Sequence, residues 1–273
     1  MIRVVFNQKG GVGKTSITCN LAAVAAQQGK RTVVVDLDPQ FNASHYLLGD
    51  LDVDDTIADY LDQTGGMFSS QKKATEYVYQ TPFENLYVLP SSPKLPEIEH
   101  KLESRYKIFK LRDALQELSE DYDEIFIDTP PAFNFFTKSA LIGCQRVLIP
   151  FDCDAFSRQS LDKVSEAIFD ICEDHNPELM IEGVVVNQFQ ARARLPQQLI
   201  DDIHDAGYPI LPVRLGASVK MRESHQVCKP LIFFAPKHNL TQQFVALFSA
   251  LENEQKEEPT GEKNIAISPA TLA

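Results

Sequence analysis

The sequence predicts an α/β fold with a single doubly wound, mostly parallel sheet flanked by helices. Short runs rich in Val, Ile and Leu alternate with longer helical patterns along the chain. Several of these runs are continuously apolar, which is typical of parallel strands that are covered on both faces. The 273 residues are 44% apolar and 23% charged, a composition that excludes a wholly disordered chain.

Seven apolar runs are predicted as strands, and helical patterns fill the intervals between them. The predicted strands are 2–6, 32–36, 86–89, 124–128, 146–150, 181–187 and 210–213, and helical patterns cover 15–28, 107–118, 160–173 and 196–205. No internal repeat or Gly/Ser-rich linker divides the chain, so we expect one domain over residues 1–251. Residues 252–273 carry five acidic and two basic side chains with little apolar surface, which predicts a disordered acidic tail.

Composition excludes several classes of protein. No apolar run approaches the roughly 18 residues of a membrane span, and no signal peptide opens the chain. The five cysteines contain no Cys-x-x-Cys pair and predict reduced thiols in a cytoplasmic protein. The six histidines show no metal-ligand spacing and are predicted as surface or capping residues. A net charge of −12 argues against a surface that coats nucleic acid everywhere, yet it leaves a local basic patch open.

A glycine-rich loop at residues 9–15, KGGVGKT, follows the first predicted strand and precedes a helix. The general phosphate-loop pattern requires glycine at position 8, where Gln8 stands, so this is a compact variant. Glycines let backbone N–H groups surround a phosphate, and the following helix directs its positive end at the same anion. Lys14 would reach the β- and γ-phosphates, and the Thr15 hydroxyl would hold Mg²⁺. The alternative is a glycine-rich turn with two solvated lysines.

Two further segments accompany the loop in chain order, VDLDPQ at residues 35–40 and FIDTPP at residues 126–131. With KGGVGKT they resemble the ParA/MinD family of deviant Walker-type P-loop ATPases over most of residues 1–250. The loop begins at residue 9, so the resemblance is to ParA-like partition or positioning ATPases without an N-terminal helix-turn-helix. It implies ATP and Mg²⁺ as cofactors, and an ATP hydrolase that is weak alone and stimulated by a partner.

The resemblance also assigns roles to individual residues. It implies that Lys9 crosses to the nucleotide of a second protomer, which makes the homodimer ATP-dependent. It implies that Asp38 orients or deprotonates the attacking water with support from Asp36, whose alternative role is to cap the loop. The implied catalytic residues are Lys9, Lys14 and Asp38, the metal site is Thr15, Asp38 and Asp128, and the nucleotide-binding residues are Lys9, Gly10, Gly11, Val12, Gly13, Lys14, Thr15, Ser16, Asn187 and Pro212.

Some of these assignments also have a physical argument. Asp128 ends an apolar run, and a carboxylate at the carboxyl edge of a parallel sheet can serve the Mg²⁺ shell. Asn187 ends another, and its amide can both donate to and accept from an adenine edge. The alternative for Asn187 is turn chemistry at a strand end. The family also implies a base contact near Pro212, although the spacing from Pro212 to Glu223 is longer than in the chromosomal members.

Residues 189–238 hold seven basic and four acidic side chains, a local charge of +3 in a chain of −12. This asymmetry predicts a cationic surface that binds DNA phosphates without reading bases. Relatives that bind DNA non-specifically carry arginines in the same regions. The implied DNA-binding residues are Arg192, Arg194, Arg214, Lys220 and Arg222. The alternative is a set of solvated surface charges.

The resulting hypothesis is a ParA-like ATPase that dimerises on ATP, binds DNA and positions or segregates a plasmid, a chromosome region or a protein complex. We expect it in the cytoplasm on the nucleoid, without a membrane contact, and we expect an adaptor with a basic activating segment to trigger hydrolysis. A MinD-like membrane-associated regulator is the first alternative, an iron–sulfur reductase the second, and a ligase of the dethiobiotin or cobyrinic type the third. The acidic tail lacks the basic amphipathic helix that a MinD-like anchor requires.

Overall fold

The computed structural model describes residues 1–63, 71–154, 157–190 and 194–257, with the backbone alone at 157, 194, 195 and 254–257. The strands are β1 (Ile2–Val5), β2 (Thr32–Asp36), β3 (Tyr79–Gln80), β4 (Leu86–Leu89), β5 (Glu124–Asp128), β6 (Arg146–Asp152) and β7 (Met180–Asn187). The helices are α1 (Lys14–Gln27), α2 (Asn42–Leu48), α3 (Ile57–Asp62), α4 (Leu95–Ser104), α5 (Lys110–Ser119), α6 (Phe135–Gly143), α7 (Ser157–Asp174), α8 (Arg194–Asp205), α9 (Val219–Gln226), α10 (Leu231–Phe234) and α11 (Asn239–Glu257). A short 3₁₀ helix covers Ala74–Tyr77.

The seven strands form one sheet in the order β3-β4-β2-β5-β1-β6-β7. All neighbouring pairs are parallel except β3 with β4, which pair antiparallel at one edge. One apolar layer on the sheet includes residues of α3 to α7, and the other includes residues of α1, α2, α10 and α11. The predicted doubly wound, mostly parallel α/β fold is therefore confirmed, and the continuously apolar strands are buried on both faces because helices cover both.

The prediction of a strand at residues 210–213 is wrong. This segment makes only one isolated bridge, between Val184 of β7 and Ile210. The Leu211 N–H donates to the carbonyl of Val184 at 3.1 Å. Pro209 and Pro212 flank this contact and carry no N–H to extend a ladder, so the pairing stops after one residue. The strand β3 was not predicted, since two residues are too short to show a periodic pattern.

The last helix extends beyond the predicted end of the domain. Helix α11 runs to Glu257, six residues past the predicted boundary at residue 251, and Glu252 forms an ion pair with Lys30 near the end of α1. The remainder of the predicted tail, 258–273, lies outside the described residues. Residues 252–257, which begin the predicted tail, are therefore a continuation of helix α11.

A buried ionic cluster lies at the amino edge of the sheet, opposite the carboxyl ends of the strands. The Arg3 side chain is 0% exposed, with Nε 2.8 Å from Oε2 of Glu182 and Nη1 paired with Glu124. Lys30 adds a second cation at 2.9 Å from the Glu124 carboxylate. Burial lowers the pKa of Arg3, but the two glutamates raise it by more, so the guanidinium is charged and its pKa lies above the usual value.

Candidate functional site

The loop between β1 and α1 has a backbone that only glycine accommodates easily. Gly11 and Gly13 adopt φ angles of 79° and 92°, in the left-handed region. A Cβ atom on Gly13 would lie 2.3 Å from Nδ2 of Asn187, so a larger residue there would displace that side chain. Gly13 also caps α1, and the positive end of this 14-residue helix therefore opens directly at the loop.

Three side chains hold the carbonyl groups of the loop. The Lys14 Nζ donates to the carbonyl of Lys9 at 3.1 Å, and the Gln188 Nε2 donates to that of Gly11 at 3.0 Å. The Asn187 Nδ2 donates to the carbonyl of Val12 at 2.8 Å. Because these carbonyls are directed to side chains, the loop conformation is fixed before any anion is present.

Lys14 is a buried cation at the first position of α1. Only 7% of the residue is exposed. Burial lowers its pKa below the ordinary value, and the nearby carboxylates of Asp128 and Asp38 offset that effect only in part. An anionic ligand next to this ammonium group would favour its charged form, so the site is electrostatically suited to phosphate.

Two fully buried aspartates face each other at the carboxyl ends of adjacent strands. Asp36 on β2 and Asp128 on β5 are register partners, and each is 0% exposed. Burial raises the pKa of Asp36 to about 6, although its carboxylate accepts hydrogen bonds from the backbone and hydroxyl of Ser44 and from the Asp38 N–H. Burial, with the charge of Asp36, raises the pKa of Asp128 well above its usual value.

Only one of the two carboxylate oxygens of Asp128 has a hydrogen-bond partner among the described residues. Its Oδ2 accepts a hydrogen bond from the Thr15 hydroxyl at 2.7 Å. Its Oδ1 is buried without a hydrogen-bond partner among the described residues. A buried, unpartnered carboxylate oxygen beside a hydroxyl oxygen offers the hard donors that Mg²⁺ prefers, so these two residues fit a magnesium site completed by phosphate and water.

Asp38 lies in the turn that follows β2, close to the same centre. It is 7% exposed, and its Oδ1 accepts a hydrogen bond from the Gln40 N–H at 2.9 Å. Its backbone carbonyl accepts from the Ser91 hydroxyl at 2.7 Å. These bonds fix the turn, and the Asp38 carboxylate retains acceptor capacity at the edge of the buried acidic pair.

Lys9 pairs with carboxylates of its own chain. Its Nζ is 2.8 Å from both carboxylate oxygens of Asp152, at the end of β6, and it also forms an ion pair with Asp154. Burial lowers the pKa of Lys9, but these two aspartates raise it by more. The side chain is 25% exposed, so it is accessible from outside the chain while it is held in place.

Comparisons with known proteins agree with this geometry. The profile of a protein family described as "AAA domain" matches residues 1–181. The chromosome partitioning protein ParA of Myxococcus xanthus is 32% identical over 248 residues, which cover 89% of this chain and 84% of that protein. The sporulation initiation inhibitor protein Soj of Bacillus subtilis is 32% identical over 242 residues, covering 86% of this chain and 92% of the relative.

The chain belongs to the ParA/MinD family of P-loop ATPases. Its fold also matches that of cobyrinic acid a,c-diamide synthase from Mycobacterium smegmatis, solved with bound ADP and magnesium. The TM-score is 0.79 at 22% identity, and the match covers 96% of this chain and 99% of the other. At this identity the likeness concerns the fold alone, whereas membership of the ParA/MinD family depends on the sequence relatives.

The structure brings most predicted nucleotide-binding residues of this ParA/MinD-family chain together. Residues 9–16 form the loop and the first turn of α1, and Asn187 lies against Val12 and Gly13. The Ser16 hydroxyl lies 3.2 Å from Nε2 of His225 on α9. Pro212 is exposed in the segment after Ile210, and its contact with a base remains a prediction.

Of the five predicted DNA-binding residues, three have described side chains and two do not. Arg192 lies outside the described residues, and Arg194 is described only by its backbone, at the start of α8. The Arg214 guanidinium lies 4.8 Å from the ring centroid of Phe189 and donates to Gln197 at 2.7 Å. Lys220 and Arg222 lie on α9, where Lys220 pairs with Glu223 at 2.6 Å and Arg222 is exposed.

Sequence reasoning missed three contacts of the site. It predicted His225 only as a surface or capping residue and missed that the half-buried ring packs between Ser16 and Tyr46. It also missed the pairing of Lys9 with Asp152 and Asp154, and the support that Ser44 gives to Asp36. The FDCD segment at 151–154 was the available signal for the second contact, since it places carboxylates at the carboxyl end of a strand.

Among the described residues, no helix combines the length and apolar character needed to pass through a bilayer. The same part of the chain contains no group of three or more His, Cys, Asp or Glu side chains placed to hold a metal ion. In this ParA/MinD-family site, the Thr15 hydroxyl and the Asp128 carboxylate are the protein groups that lie together and could hold a cation with donors from a ligand or water.

Proposed function

We propose that this ParA/MinD-family protein is an ATP-driven positioning switch. It binds ATP with Mg²⁺, closes into a homodimer, binds DNA without sequence preference in that state, and releases it after an adaptor protein stimulates hydrolysis. The observation that carries this proposal is the buried Asp128 carboxylate, with one oxygen on the Thr15 hydroxyl and the other without a partner among the described residues. A buried carboxylate without a partner lowers the stability of the free chain, and a bound cation would remove this free-energy cost.

Different parts of the loop supply different groups for phosphate binding. Lys14 supplies a buried ammonium group, and the start of α1 supplies backbone N–H groups and a positive helix end. Thr15, Asp38 and Asp128 would hold Mg²⁺, which would neutralise phosphate charge as a Lewis acid. Asp38 orients or deprotonates the attacking water, because it follows the buried Asp36 in the turn after β2 and its carboxylate retains acceptor capacity.

Dimerisation depends on Lys9. Lys14 serves the phosphates within the protomer, and the family assigns the second lysine of the loop, Lys9, to the nucleotide of a partner. An ammonium group supplied from a second protomer stabilises the charge of phosphoryl transfer as an arginine finger does, an effect of about 10³–10⁵ in rate. In the single chain Lys9 pairs with Asp152 and Asp154, which keeps it ordered at the rim of the loop.

The basic residues of α9 and its neighbourhood support DNA as the second ligand. Arg214, Lys220 and Arg222 contribute positive charge to a chain of −12, together with Arg192 and Arg194 of the same segment. Two protomers double this charge, so affinity for phosphates rises steeply on dimerisation and falls steeply with salt. We infer a nucleoid location and an adaptor with a basic activating segment from membership of the family.

The test is DNA co-sedimentation in the presence of ATP, ADP or no nucleotide, with wild type, Lys9→Ala and the control Lys72→Ala. Lys72 is an exposed lysine that pairs with Asp55 at 2.8 Å, away from the loop. We expect retention on DNA only with ATP, for wild type and Lys72→Ala, while Lys9→Ala binds nucleotide but neither dimerises nor binds DNA. Equal retention in every nucleotide state contradicts the proposal.

Two further measurements, retention on lipid vesicles and ATP turnover with metabolites, distinguish the alternative functions. ATP-dependent retention on anionic vesicles but not on DNA would assign the protein to the MinD-like class of membrane regulators. ATP turnover that rises with a small carboxylic acid metabolite, and not with DNA plus an adaptor, would assign it to the ligases that share the fold. We expect neither outcome, because the chromosome partitioning proteins ParA of Myxococcus xanthus and Caulobacter vibrioides are among the relatives that match most of this chain.

A further inference from the structure

A histidine of α9 contacts the nucleotide loop directly. His225 places Nε2 at 3.2 Å from the hydroxyl oxygen of Ser16, the third residue of α1. Its ring packs edge-on against Tyr46 of α2, with the ring centroids 4.4 Å apart and the planes at 63°. One side chain therefore connects the first turn after the phosphate loop with a helix that bears two of the predicted DNA-binding residues.

Neighbouring polar groups strengthen this connection. The hydroxyl of Ser224, which is 0% exposed, lies 2.9 Å from the Tyr46 hydroxyl. On α1, one turn after Ser16, Asn20 is also buried; its Nδ2 donates to the Ser16 carbonyl at 2.8 Å, and its Oδ1 accepts from the Leu231 N–H at 2.8 Å. The polar side chains of α1 thus contact both α9 and the start of α10, so the first turn after the loop and these two helices form one contiguous set of contacts.

The chemistry of a hydroxyl makes the Ser16 contact conditional. A serine hydroxyl has a single proton to donate and two lone pairs to accept with. In the free chain Ser16 can donate that proton to Nε2 of a neutral imidazole. If Ser16 instead donates to a phosphate oxygen, its contact with His225 persists only when Nε2 carries the proton and donates. Occupancy of the loop and the hydrogen-bonding state of His225 are therefore linked.

We propose that His225 is a positioning residue that couples nucleotide occupancy at Ser16 to the placement of α9. This inference rests on the proposed function only in assuming that the loop binds a nucleotide phosphate. Burial lowers the pKa of His225, which favours a neutral ring. At neutral pH, the switch of Nε2 from acceptor to donor is therefore an exchange between the two neutral tautomers. The consequence is that α9, with Lys220 and Arg222 on it, responds to the nucleotide in the single chain, before any dimer forms.

Hydrogen–deuterium exchange of α9 tests the coupling. The protein is compared without nucleotide and with Mg²⁺ and a non-hydrolysable ATP analogue, as wild type, His225→Phe, His225→Gln and the control His204→Phe. His204 lies on α8 with its side chain 77% exposed. In wild type and His204→Phe we expect the analogue to change α9 exchange rates by about fivefold or more, the lower end of couplings between sites. We expect that difference to vanish in His225→Phe and to return in His225→Gln, whose amide can both donate and accept.

A merely structural role predicts a different result, since His225→Phe would then change α9 exchange equally with and without the analogue. Binding of a fluorescent ATP analogue is measured first for each variant. Failure of wild type to bind it overturns the proposed function, and the coupling with it. Binding by wild type without any change in α9 exchange, or an undiminished change in His225→Phe, overturns the coupling alone.

A second measurement needs no variant. Imidazole nitrogen signals of ¹⁵N-histidine-labelled wild type report which ring nitrogen carries the proton. We expect the His225 signals to shift between tautomers when the analogue binds, and those of His204 to remain unchanged. Unchanged His225 signals in the analogue-bound protein overturn the proposal even if every substituted protein fails to fold.

Discussion

The hydroxyl of Thr15 and the carboxylate of Asp128 are joined by a 2.7 Å hydrogen bond across 113 residues of sequence. The bond occupies Oδ2 of Asp128, while the buried Oδ1 has no partner among the described residues. Asp36, its register partner on the adjacent strand, adds a second buried carboxyl group. These two buried carboxyl groups therefore lower the stability of the free chain, as is typical of sites whose strain is relieved by a ligand.

The first prediction concerns Asp128→Asn. In wild type the pKa of Asp128 is raised well above its usual value, so the native state binds a proton more tightly than the unfolded state. The contribution of Asp128 to stability is then greatest at acid pH and is lost as the pH rises through the raised pKa. An amide does not ionise, so we expect Asp128→Asn to raise the free energy of unfolding by about 1–3 kcal/mol at pH 7.5 and by little near pH 4. Urea unfolding without Mg²⁺ or nucleotide measures both.

The same substitution should abolish Mg²⁺-dependent nucleotide binding, since it removes the carboxylate. The matched control is Asp121→Asn, an exposed position where we expect a change within about 0.5 kcal/mol at either pH. An Asp128→Asn protein less stable than wild type at pH 7.5 would show that the buried carboxylate is not a source of destabilisation.

The second prediction concerns the loop backbone, through Gly13→Ala and its control Gly10→Ala. At Gly13 the added Cβ meets Asn187 Nδ2 at 2.3 Å, and the φ angle of 92° is strained for alanine. We expect Gly13→Ala to destabilise the fold by about 2–4 kcal/mol and to abolish nucleotide binding, because the left-handed conformation alone costs about 1–2 kcal/mol. A Cβ on Gly10 has no heavy atom within 4 Å, and Gly10→Ala should fold normally. Thermal unfolding and binding of a fluorescent ATP analogue are the measurements.

Asn187→Ala in the Gly13→Ala background separates the steric effect from the backbone effect. We expect it to recover part of the lost stability, because the clash is removed while the φ strain remains. Full recovery would mean that the backbone conformation of the loop carries no strain for alanine, which would contradict this prediction.

The parts of the site that depend on local chemistry were predictable from the sequence. Glycines before Gly-Lys-Thr define the loop, and acids that end apolar runs reach the carboxyl edge of any parallel sheet, as Asp36 and Asp128 do. The strands themselves follow from continuous apolar runs, with the exception of residues 210–213. There the same composition makes a single bridge, because two prolines limit the ladder.

The remaining contacts depend on strand order, which local patterns do not encode. Lys9 meets Asp152 across 143 residues only because β6 lies next to β1 in the sheet. His225 meets Ser16 across 209 residues because α9 packs near the start of α1. Neither pair has a sequence spacing that could reveal it. The FDCD segment at 151–154 indicates acidic side chains at a strand end but does not identify Lys9 as their partner.

The third prediction concerns the aspartates that hold Lys9. If Lys9 must reach the nucleotide of a partner, Asp152 and Asp154 compete for it. We expect the double variant Asp152→Asn, Asp154→Asn to dimerise at lower ATP concentration, by up to about fivefold for each carboxylate, since partly exposed pairs contribute about 0.2–1 kcal/mol. Sedimentation velocity over an ATP titration measures this shift, with Asp55→Asn, which breaks the remote pair with Lys72, as control. Weaker dimerisation of the double variant would instead assign the aspartates a direct role in the closed dimer.

The last prediction concerns Arg3→Met, at the edge of the sheet opposite the loop. The substitution removes a fully buried guanidinium from between the carboxylates of Glu124 and Glu182. Removal of one partner from a buried ionic cluster costs about 3–5 kcal/mol, and we expect a loss of that size in urea unfolding at pH 7. The triple variant with Glu124→Gln and Glu182→Gln should recover most of it, because no buried negative charge then lacks its cation. Arg112→Met, which disrupts an exposed pair with Asp113, is the control and should change stability by less than about 0.5 kcal/mol. Nucleotide affinity should stay within twofold of wild type in every folded variant, since the cluster lies at the amino edge and the loop at the carboxyl edge; a larger change would mean that the two edges of the sheet are coupled.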